Sequence, residues 1–251
     1  MSAKASILHR AARNQTPVPQ FSLSEEFDIK TAYEVQKELV QYRREEGFAL
    51  VGVKMGFTSF AKMKQMGIDD MIIGQLTSDM QLSEGKSLFK GNCCHPRAEP
   101  EIAFRLGSNI DEPLNACEVK HYIDGVAPAI EVIDSRYENF SFSLEDVVAD
   151  NCSSCAFAVG PWCEVPMCLN GLDMIMSFDG LNEREGSSDA ILGNPFKALA
   201  AATRLAYQHN ISLRKGMIVL AGASTAASFI NDTSNVSLCV DALGCTSLNV
   251  K

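Results

Sequence analysis

Glu99 and Glu101 stand two residues apart, with Pro100 between them, directly before the apolar run 102–104. Residues two apart in a β-strand point to the same face of the sheet, so both carboxylates would share one site. Two negative charges this close require a cation, a shared proton or open water. Because Pro100 donates no backbone hydrogen bond, the pair belongs at a strand entrance or edge. The pair indicates either a metal site or a solvated acidic turn.

Glu131 is a third candidate, because it interrupts the otherwise apolar run 127–133. A buried carboxylate needs a partner. One interpretation adds Glu131 to Glu99 and Glu101 as an all-oxygen ligand set that suits Mg²⁺ or Mn²⁺. The other interpretation pairs Glu131 with the nearby Arg136. The sequence pattern supports the two equally.

Lys54 lies in the mostly apolar, strand-like run 48–56. A lysine that is partly removed from water in a cleft acts as an acid, a base or an anchor for a carboxylate. The commoner alternative is an ammonium group that extends from the strand to the surface.

The nine cysteines of the chain suggest a second kind of chemistry. Zinc-ligand types occur at Cys93, Cys94, His95, Cys152 and Cys155, but a second Cys-x-x-Cys is absent and the spacing is poor for zinc. An odd number of cysteines among apolar residues, without a signal peptide, indicates reduced thiols in a cytosolic protein.

The composition excludes several classes of protein. The 251 residues include 31 acidic and 22 basic ones, for a formal net charge of −9, which argues against nucleic-acid binding. Hydrophobic residues make up 46% of the chain, enough for a large core without disulfide cross-links. No apolar run approaches the roughly 18 residues that span a bilayer. We therefore expect a soluble, cytoplasmic, globular protein.

The spacing of apolar residues predicts the elements that position these side chains. Helical spacing predicts a helix within residues 24–47 and a shorter one at residues 60–66. Residues 1–15 form either a short first helix or a transit peptide. A later helix is predicted to begin with Asn194 as N-cap and Pro195 at its first position.

Short apolar runs separated by Gly, Asn, Asp and Pro are typical of strands, and they begin at about residue 82. The clearest predicted strands are 101–106, 127–133, 174–178, 217–220 and 236–240. We therefore predict a helical N-terminal region at residues 1–80 and a β-rich catalytic domain at residues 81–251.

Six motifs, in this order along the chain, carry a resemblance to a known family. They are Lys-Met-Gly-Phe-Thr-Ser at 54–59, His-Pro-Arg-Ala-Glu-Pro-Glu-Ile-Ala-Phe at 95–104, Pro-Ala-Ile-Glu-Val-Ile-Asp-Ser-Arg-Tyr at 128–137, Val-Ala-Asp-Asn-Cys-Ser-Ser at 148–154, Ile-Leu-Gly-Asn-Pro at 191–195 and Ala-Gly-Ala-Ser-Thr-Ala-Ala at 221–227. The chain resembles the hydratase and decarboxylase branch of the fumarylacetoacetate hydrolase superfamily, enzymes of aromatic meta-cleavage pathways.

The resemblance implies an α+β fold, with a mixed β-barrel-like core of the superfamily's C-terminal type and a smaller helical N-terminal region. It implies a divalent metal, Mg²⁺ or Mn²⁺, held by Glu99, Glu101 and Glu131. It also implies catalytic roles for Lys54 and Ser153. Thr225 matches a position near the substrate.

Ile72 helps to choose between the reactions of the branch. Hydratases of the family typically have an Asp at this position, and an apolar residue resembles the 2-oxo-3-hexenedioate (4-oxalocrotonate) decarboxylases. Ile72 would then form an apolar wall beside the substrate, and Asp70 or Asp79 would be the nearby substitutes for the missing acid.

We therefore expect a lyase that decarboxylates 2-oxo-3-hexenedioate, with a metal, to 2-hydroxypenta-2,4-dienoate and CO₂. The alternatives are a hydratase of 2-hydroxypenta-2,4-dienoate (2-keto-4-pentenoate) and a non-catalytic partner subunit. The resemblance implies as partners a small 2-oxo dicarboxylic acid, further copies of this chain in a homo-oligomer, and a related hydratase subunit. Neither a nucleic acid nor a membrane is expected as a partner.

Overall fold

Two β-sheets of unequal size form the framework of the protein. The computed structural model describes residues 2–59, 63–64, 67–83 and 86–251. The larger sheet has seven strands, in the spatial order β2 (Ile72–Thr77), β1 (Leu50–Gly56), β9 (Ile218–Leu220), β4 (Arg97–Leu106), β5 (Ile123–Ile133) and β6 (Ser154–Val159), with β10 (Ser228–Phe229) beside β4.

The smaller sheet has five strands, in the order β3 (Ser87–Leu88), β12 (Gly244–Val250), β11 (Asn235–Val240), β7 (Asp173–Phe178) and β8 (Asn182–Ser187). Buried and more exposed residues alternate along β7 and β11, as in a sheet with one face on the core. Strands β11 and β12 pack against β5 of the larger sheet.

Cys239 and Cys245 lie directly opposite each other on β11 and β12 and form a disulfide. The expectation that all nine cysteines are reduced thiols is therefore wrong for this pair. The reason is the antiparallel register of the hairpin, which brings together two residues six positions apart. The other seven cysteines are free thiols.

Two helices precede the first strand. Helix α1 (Ala3–Asn14) begins after its N-cap Ser2, and α2 (Ile29–Glu45) begins after Asp28, whose carboxylate accepts a hydrogen bond from the Thr31 N–H. The helices predicted within residues 1–15 and 24–47 are confirmed, the second starting at residue 29 because Asp28 caps it. Strands β1 and β2 also lie within residues 1–80 and belong to the larger sheet. The division at residue 80 stays a prediction.

Two further helices flank the sheets. Helix α3 (Leu144–Ala149) has a capping box formed by Ser143 and Asp146. Helix α4 (Pro195–Gln208) has Asn194 as its N-cap, and the Asn194 side chain accepts a hydrogen bond from the Phe196 N–H, as the sequence predicts. Most of the helix predicted at 60–66 lies outside the described residues.

The larger sheet curls into a half-barrel, and the helices cover it, so the predicted α+β fold with a mixed β-barrel-like core is confirmed. Its strands run both parallel and antiparallel, because β1 pairs with β9 in parallel and β4 pairs with β5 in antiparallel orientation. Among the helices of the described residues, none combines the length and the apolar character that a membrane crossing requires.

Candidate metal and active site

The register of β4 and β5 brings Glu99, Glu101 and Glu131 together. Glu99 lies directly opposite Glu131, and Glu101 follows Glu99 by two residues on the same face of β4. One carboxylate oxygen from each residue lies within 4.8 Å of the other two, and all three side chains are buried. The solvated acidic turn that the sequence left open is therefore wrong, because these carboxylates lie in the interior.

The burial of these carboxylates makes their negative charge costly. Burial and then the neighbouring Glu131 raise the pKa of Glu101 well above its ordinary value. Burial also raises the pKa of Glu131, although the Lys54 ammonium opposes this shift. Within the described part of the chain, the Oε1 atoms of Glu101 and Glu131 have no hydrogen-bond donor. An all-oxygen set with unfilled, buried acceptor atoms fits a hard divalent cation.

Gly222 closes the other side of Glu101. Its N–H donates a 2.8 Å hydrogen bond to Glu101 Oε2. Gly222 has a φ of +102°, and a Cβ at this position would lie 1.9 Å from the Thr58 hydroxyl oxygen. Only glycine fits there, so the segment after β9 can approach the carboxylate closely.

Lys54 on β1 reaches the same cluster from a neighbouring strand. Its Nζ lies 3.0 Å from Glu131 Oε2 and donates a 3.2 Å hydrogen bond to the carbonyl oxygen of Cys152. Burial lowers the pKa of Lys54, but the attraction of Glu131 and Glu99 outweighs burial and holds the pKa above its ordinary value. The ammonium is therefore charged and points inward, so the predicted alternative of a surface lysine is wrong.

Arg136 does not serve as the partner of Glu131. Its guanidinium pairs with Asp150, and both side chains are buried. The second interpretation of Glu131, an ion pair with Arg136, is thus wrong, and Lys54 takes that place.

Ser153 lies in a tight turn between α3 and β6. Asn151, Cys152 and Ser153 have φ angles of 51°, 54° and 58°, a run of left-handed conformations that costs of order 1–3 kcal/mol per residue. Asn151 secures the turn, because its side chain accepts from the N–H of Gln75 and donates to the carbonyl of Gln75, both at 2.8 Å. The Ser153 Oγ is buried and has no hydrogen-bond partner among the described residues, so the turn leaves a polar group available.

A cavity of about 500 Å³ opens beside this cluster. Its lining includes Lys54, Ile72, Glu99 and Ser153, four of the residues that the sequence singled out. Glu101 and Glu131 lie deeper and complete the cluster. The lining also includes Arg97 and Phe140, which the sequence analysis missed. The available signal for Arg97 was its position two residues before Glu99, which gives both side chains the same face of β4.

Three other predicted residues lie elsewhere. Thr225 lines an adjoining cavity of about 580 Å³, and the segment 226–227 lines both cavities. Asp70 pairs with Arg204 at 2.6 Å and Asp79 pairs with Arg43, and neither acid lines the central cavity. Both acids are thus paired with arginines outside the lining of the central cavity, and the roles of Asp70, Asp79 and Thr225 stay predictions.

The possible zinc ligands are only partly assembled. The Sγ atoms of Cys93 and Cys155 lie 3.8 Å apart, near the Asp134 carboxylate, which accepts hydrogen bonds from the N–H groups of Cys94 and His95. Cys152 lies instead beside Lys54.

Comparisons with known proteins give this geometry a context. No protein-family model matches the chain. A 4-oxalocrotonate decarboxylase from a Pseudomonas species is 44% identical over 249 residues, which cover 99% of this chain and 97% of that protein. A 2-keto-4-pentenoate hydratase from Paraburkholderia xenovorans is 31% identical over 226 residues, which cover 87% of this chain and 83% of that protein.

A solved structure agrees with the fold along nearly the whole chain. The 4-oxalocrotonate decarboxylase from Pseudomonas putida G7, in complex with magnesium and adipate, superposes with a TM-score of 0.93. The two chains are 31% identical, and the match covers 99% of this chain and 96% of that one.

Proposed function

The chain belongs to the family of 4-oxalocrotonate decarboxylases and 2-keto-4-pentenoate hydratases, a branch of the fumarylacetoacetate hydrolase superfamily, and from that premise we propose that it decarboxylates 2-oxo-3-hexenedioate. The products are 2-hydroxypenta-2,4-dienoate and CO₂. Both reactions named among its relatives are lyase reactions. The observation that carries the choice of decarboxylation is the apolar Ile72 in the cavity wall.

Glu99, Glu101 and Glu131 are the proposed ligands of a divalent cation, Mg²⁺ or Mn²⁺. Two observations support this proposal. The cluster is buried and all-carboxylate, with oxygens that have no hydrogen-bond donor among the described residues, and the related Pseudomonas putida G7 structure contains magnesium. When bound, the cation supplies Lewis-acid chemistry, which polarises the 2-oxo group of the substrate.

The protein's own residues position the substrate and handle charge. As the bond to the far carboxylate breaks, its electron pair moves through the C3–C4 double bond toward the 2-oxo oxygen. The charged Lys54, beside Glu131, is placed to donate a hydrogen bond to that oxygen as negative charge develops. The Ser153 hydroxyl, which has no hydrogen-bond partner among the described residues, would donate to the substrate as well.

Ile72 acts in this scheme through its apolar character. Its side chain is 4% exposed and lies at the start of β2, opposite Gly56. A departing carboxylate loses its charge, so an apolar wall disfavours the reactant more than the uncharged CO₂. An apolar wall also lacks a group that would position a water molecule for addition.

The second candidate function is the addition of water to 2-hydroxypenta-2,4-dienoate. The relatives named as hydratases favour it. The same carboxylate cluster and lysine would serve both reactions, and the acid that hydratases typically place at the position of Ile72 would be missing.

We further propose that the protein is cytoplasmic, which is supported by seven free thiols. Self-association into a homo-oligomer and association with a related hydratase subunit also belong to this proposal, on the ground of the family resemblance. Sedimentation of the purified chain, alone and with a hydratase of the family, measures both.

Release of CO₂ from 2-oxo-3-hexenedioate tests the proposed function, with Mg²⁺ and again with EDTA. We expect metal-dependent CO₂ and the simultaneous appearance of the dienol product in the absorbance spectrum. Consumption of 2-hydroxypenta-2,4-dienoate without any release of CO₂ would assign the hydratase reaction instead. A chain that binds no divalent ion and turns over neither compound would be a non-catalytic subunit.

A further inference from the structure

Arg97 places a positive charge in the wall of the central cavity. It is the first residue of β4 and lies two residues before Glu99, on the same face of the strand. Arg97, Glu99 and Lys54 all line the cavity. One end of the cavity therefore holds the carboxylate cluster with Lys54, and Arg97 adds a cation farther along β4.

Two aromatic rings hold the Arg97 side chain. Its guanidinium carbon lies 3.8 Å from the centroid of the Phe140 ring and 4.2 Å from that of the Phe229 ring. Phe229 lies directly opposite Arg97 in the pairing of β10 with β4, which fixes their contact through the register of the strands. Both ring centroids lie within 4.2 Å of the guanidinium carbon, so the rings restrict the positions that the guanidinium can take.

One buried donor of Arg97 lacks an acceptor among the described residues. Among the residues that the structure describes, the Arg97 Nε is buried without a hydrogen-bond partner. The residue as a whole is half-buried, and the attraction of Glu99 opposes the lowering of the Arg97 pKa by burial. Other arginines of the protein are paired with aspartates: Arg105 with Asp124, Arg136 with Asp150, Arg204 with Asp70, and Arg214 with Asp111. A buried, charged donor without an acceptor is costly unless a ligand satisfies it.

We propose that Arg97 binds the substrate carboxylate remote from the glutamate cluster, and so selects dicarboxylic over monocarboxylic 2-oxo acids. This inference rests on the proposed function, because it assumes that the 2-oxo end lies at the glutamates. A guanidinium edge matches a carboxylate with two parallel hydrogen bonds. Arg97 and Glu101 are four residues apart on one strand, about 13 Å between their Cα atoms. A short dicarboxylate bound at the glutamates would extend along this face of β4 toward Arg97.

The assignment predicts which kinetic constant depends on Arg97. The remote carboxylate loses its charge as CO₂ departs, so its pairing with Arg97 stabilises bound substrate at least as much as the transition state. An interaction of this kind lowers KM without raising kcat. Removal of the guanidinium should therefore raise KM for 2-oxo-3-hexenedioate without lowering kcat.

The direct test compares two ligands of equal length that differ at one end. 2-Oxohexanedioate has the remote carboxylate, 2-oxohexanoate has a methyl group there, and neither has the double bond that decarboxylation requires. We would measure their dissociation constants by calorimetry in the presence of Mg²⁺, for the wild type and the variants R97M, R97K and R184M. Arg184 lines the adjoining cavity, so R184M is the matched control.

The wild type and R184M should bind 2-oxohexanedioate about tenfold to a hundredfold more tightly than 2-oxohexanoate. R97M should lose this preference while its affinity for 2-oxohexanoate stays the same. R97K should keep part of the preference, because it retains the charge and loses the planar fork. R97K also provides the answer if R97M does not fold.

Three results would overturn the assignment. They are a wild type without a preference, an R97M variant that keeps the preference, and an R97M variant that binds both ligands equally more weakly, which would place Arg97 at the 2-oxo end. Failure of the proposed function is a separate result. A wild type that releases no CO₂ but keeps an Arg97-dependent preference would contradict decarboxylation and leave Arg97 as the binding residue for the remote carboxylate.

Discussion

The two sheets of the protein treat polar side chains in different ways. In the smaller sheet, β7 buries Met174, Met176 and Phe178 and turns the residues between them toward more exposed positions. In the larger sheet, β4 and β5 are buried along nearly their whole length, and three glutamates lie among their buried residues.

The difference shows where function resides in this fold. In a sheet with one face on the core, apolar side chains are buried on that face and polar side chains are exposed to water on the other. A buried charge without full compensation destabilises the folded protein, and folding alone does not require it. Such a charge therefore indicates a functional site. On this account, substitutions in the larger sheet change chemistry, and substitutions in the smaller sheet change stability.

The largest effect is expected for E131Q. Loss of a charge from the carboxylate cluster should lower Mg²⁺ affinity by at least about 100-fold. Replacing a residue that only hydrogen-bonds to a metal ligand lowers affinity by up to about 100-fold, and a ligand itself should matter at least as much. Calorimetry measures the affinity, and E183Q on the exposed strand β8 is the control. An E131Q protein with the Mg²⁺ affinity of the wild type would contradict the assignment of function to the larger sheet.

The next largest effect is expected for K54M. Without the ammonium near the developing charge, kcat for CO₂ release should fall by about 100-fold to 1,000-fold. Mg²⁺ binding should persist, because Lys54 is not a ligand. K90M, which removes an ammonium that bonds the Asn231 carbonyl, is the control and should keep full turnover. Wild-type turnover in a folded K54M protein would exclude Lys54 from the reaction.

A smaller effect is expected for I72N, which makes the cavity wall polar and keeps four non-hydrogen atoms in the side chain. CO₂ release should slow by about tenfold, equivalent to about 1.4 kcal/mol in the barrier. The matched variant I72V keeps the wall apolar and should retain most of the rate. Equal rates for I72N and the wild type would show that the apolar wall plays no part in the choice of reaction.

The smallest effect on turnover is expected for the double variant C239S/C245S in the smaller sheet. The disulfide closes a short loop, so its loss should lower the free energy of unfolding by about 2 kcal/mol. Urea unfolding measures this loss, and CO₂ release should not change. A loss of turnover in the folded variant would tie the smaller sheet to the chemistry.

The sequence predicted the elements that local rules determine. Helix α4 begins where Asn194 and Pro195 indicate, because capping and proline placement are local. Strand β5 follows from its apolar run, and Glu131 was noticed because it interrupts that run. The pairing of Glu99 with Glu131 was a plausible interpretation whose geometry the β4–β5 register supplies.

Features that depend on distant register were not predictable. Arg97 meets Phe229 only because β10 pairs with β4, across 131 intervening residues of chain. Cys239 and Cys245 pair through a hairpin whose register the sequence did not define. Thr225 follows the strand β9, but the path of the segment places it in the adjoining cavity. Each case requires the positions of neighbouring strands, which periodicity does not provide.

The most direct test of the central claim is the anomalous scattering of Mn²⁺ in crystals of the protein soaked with this ion. The account predicts one strong peak among the carboxylates of Glu99, Glu101 and Glu131, and its loss in crystals of E131Q. A peak at another site with none at these glutamates, or an unchanged peak in E131Q, would contradict it.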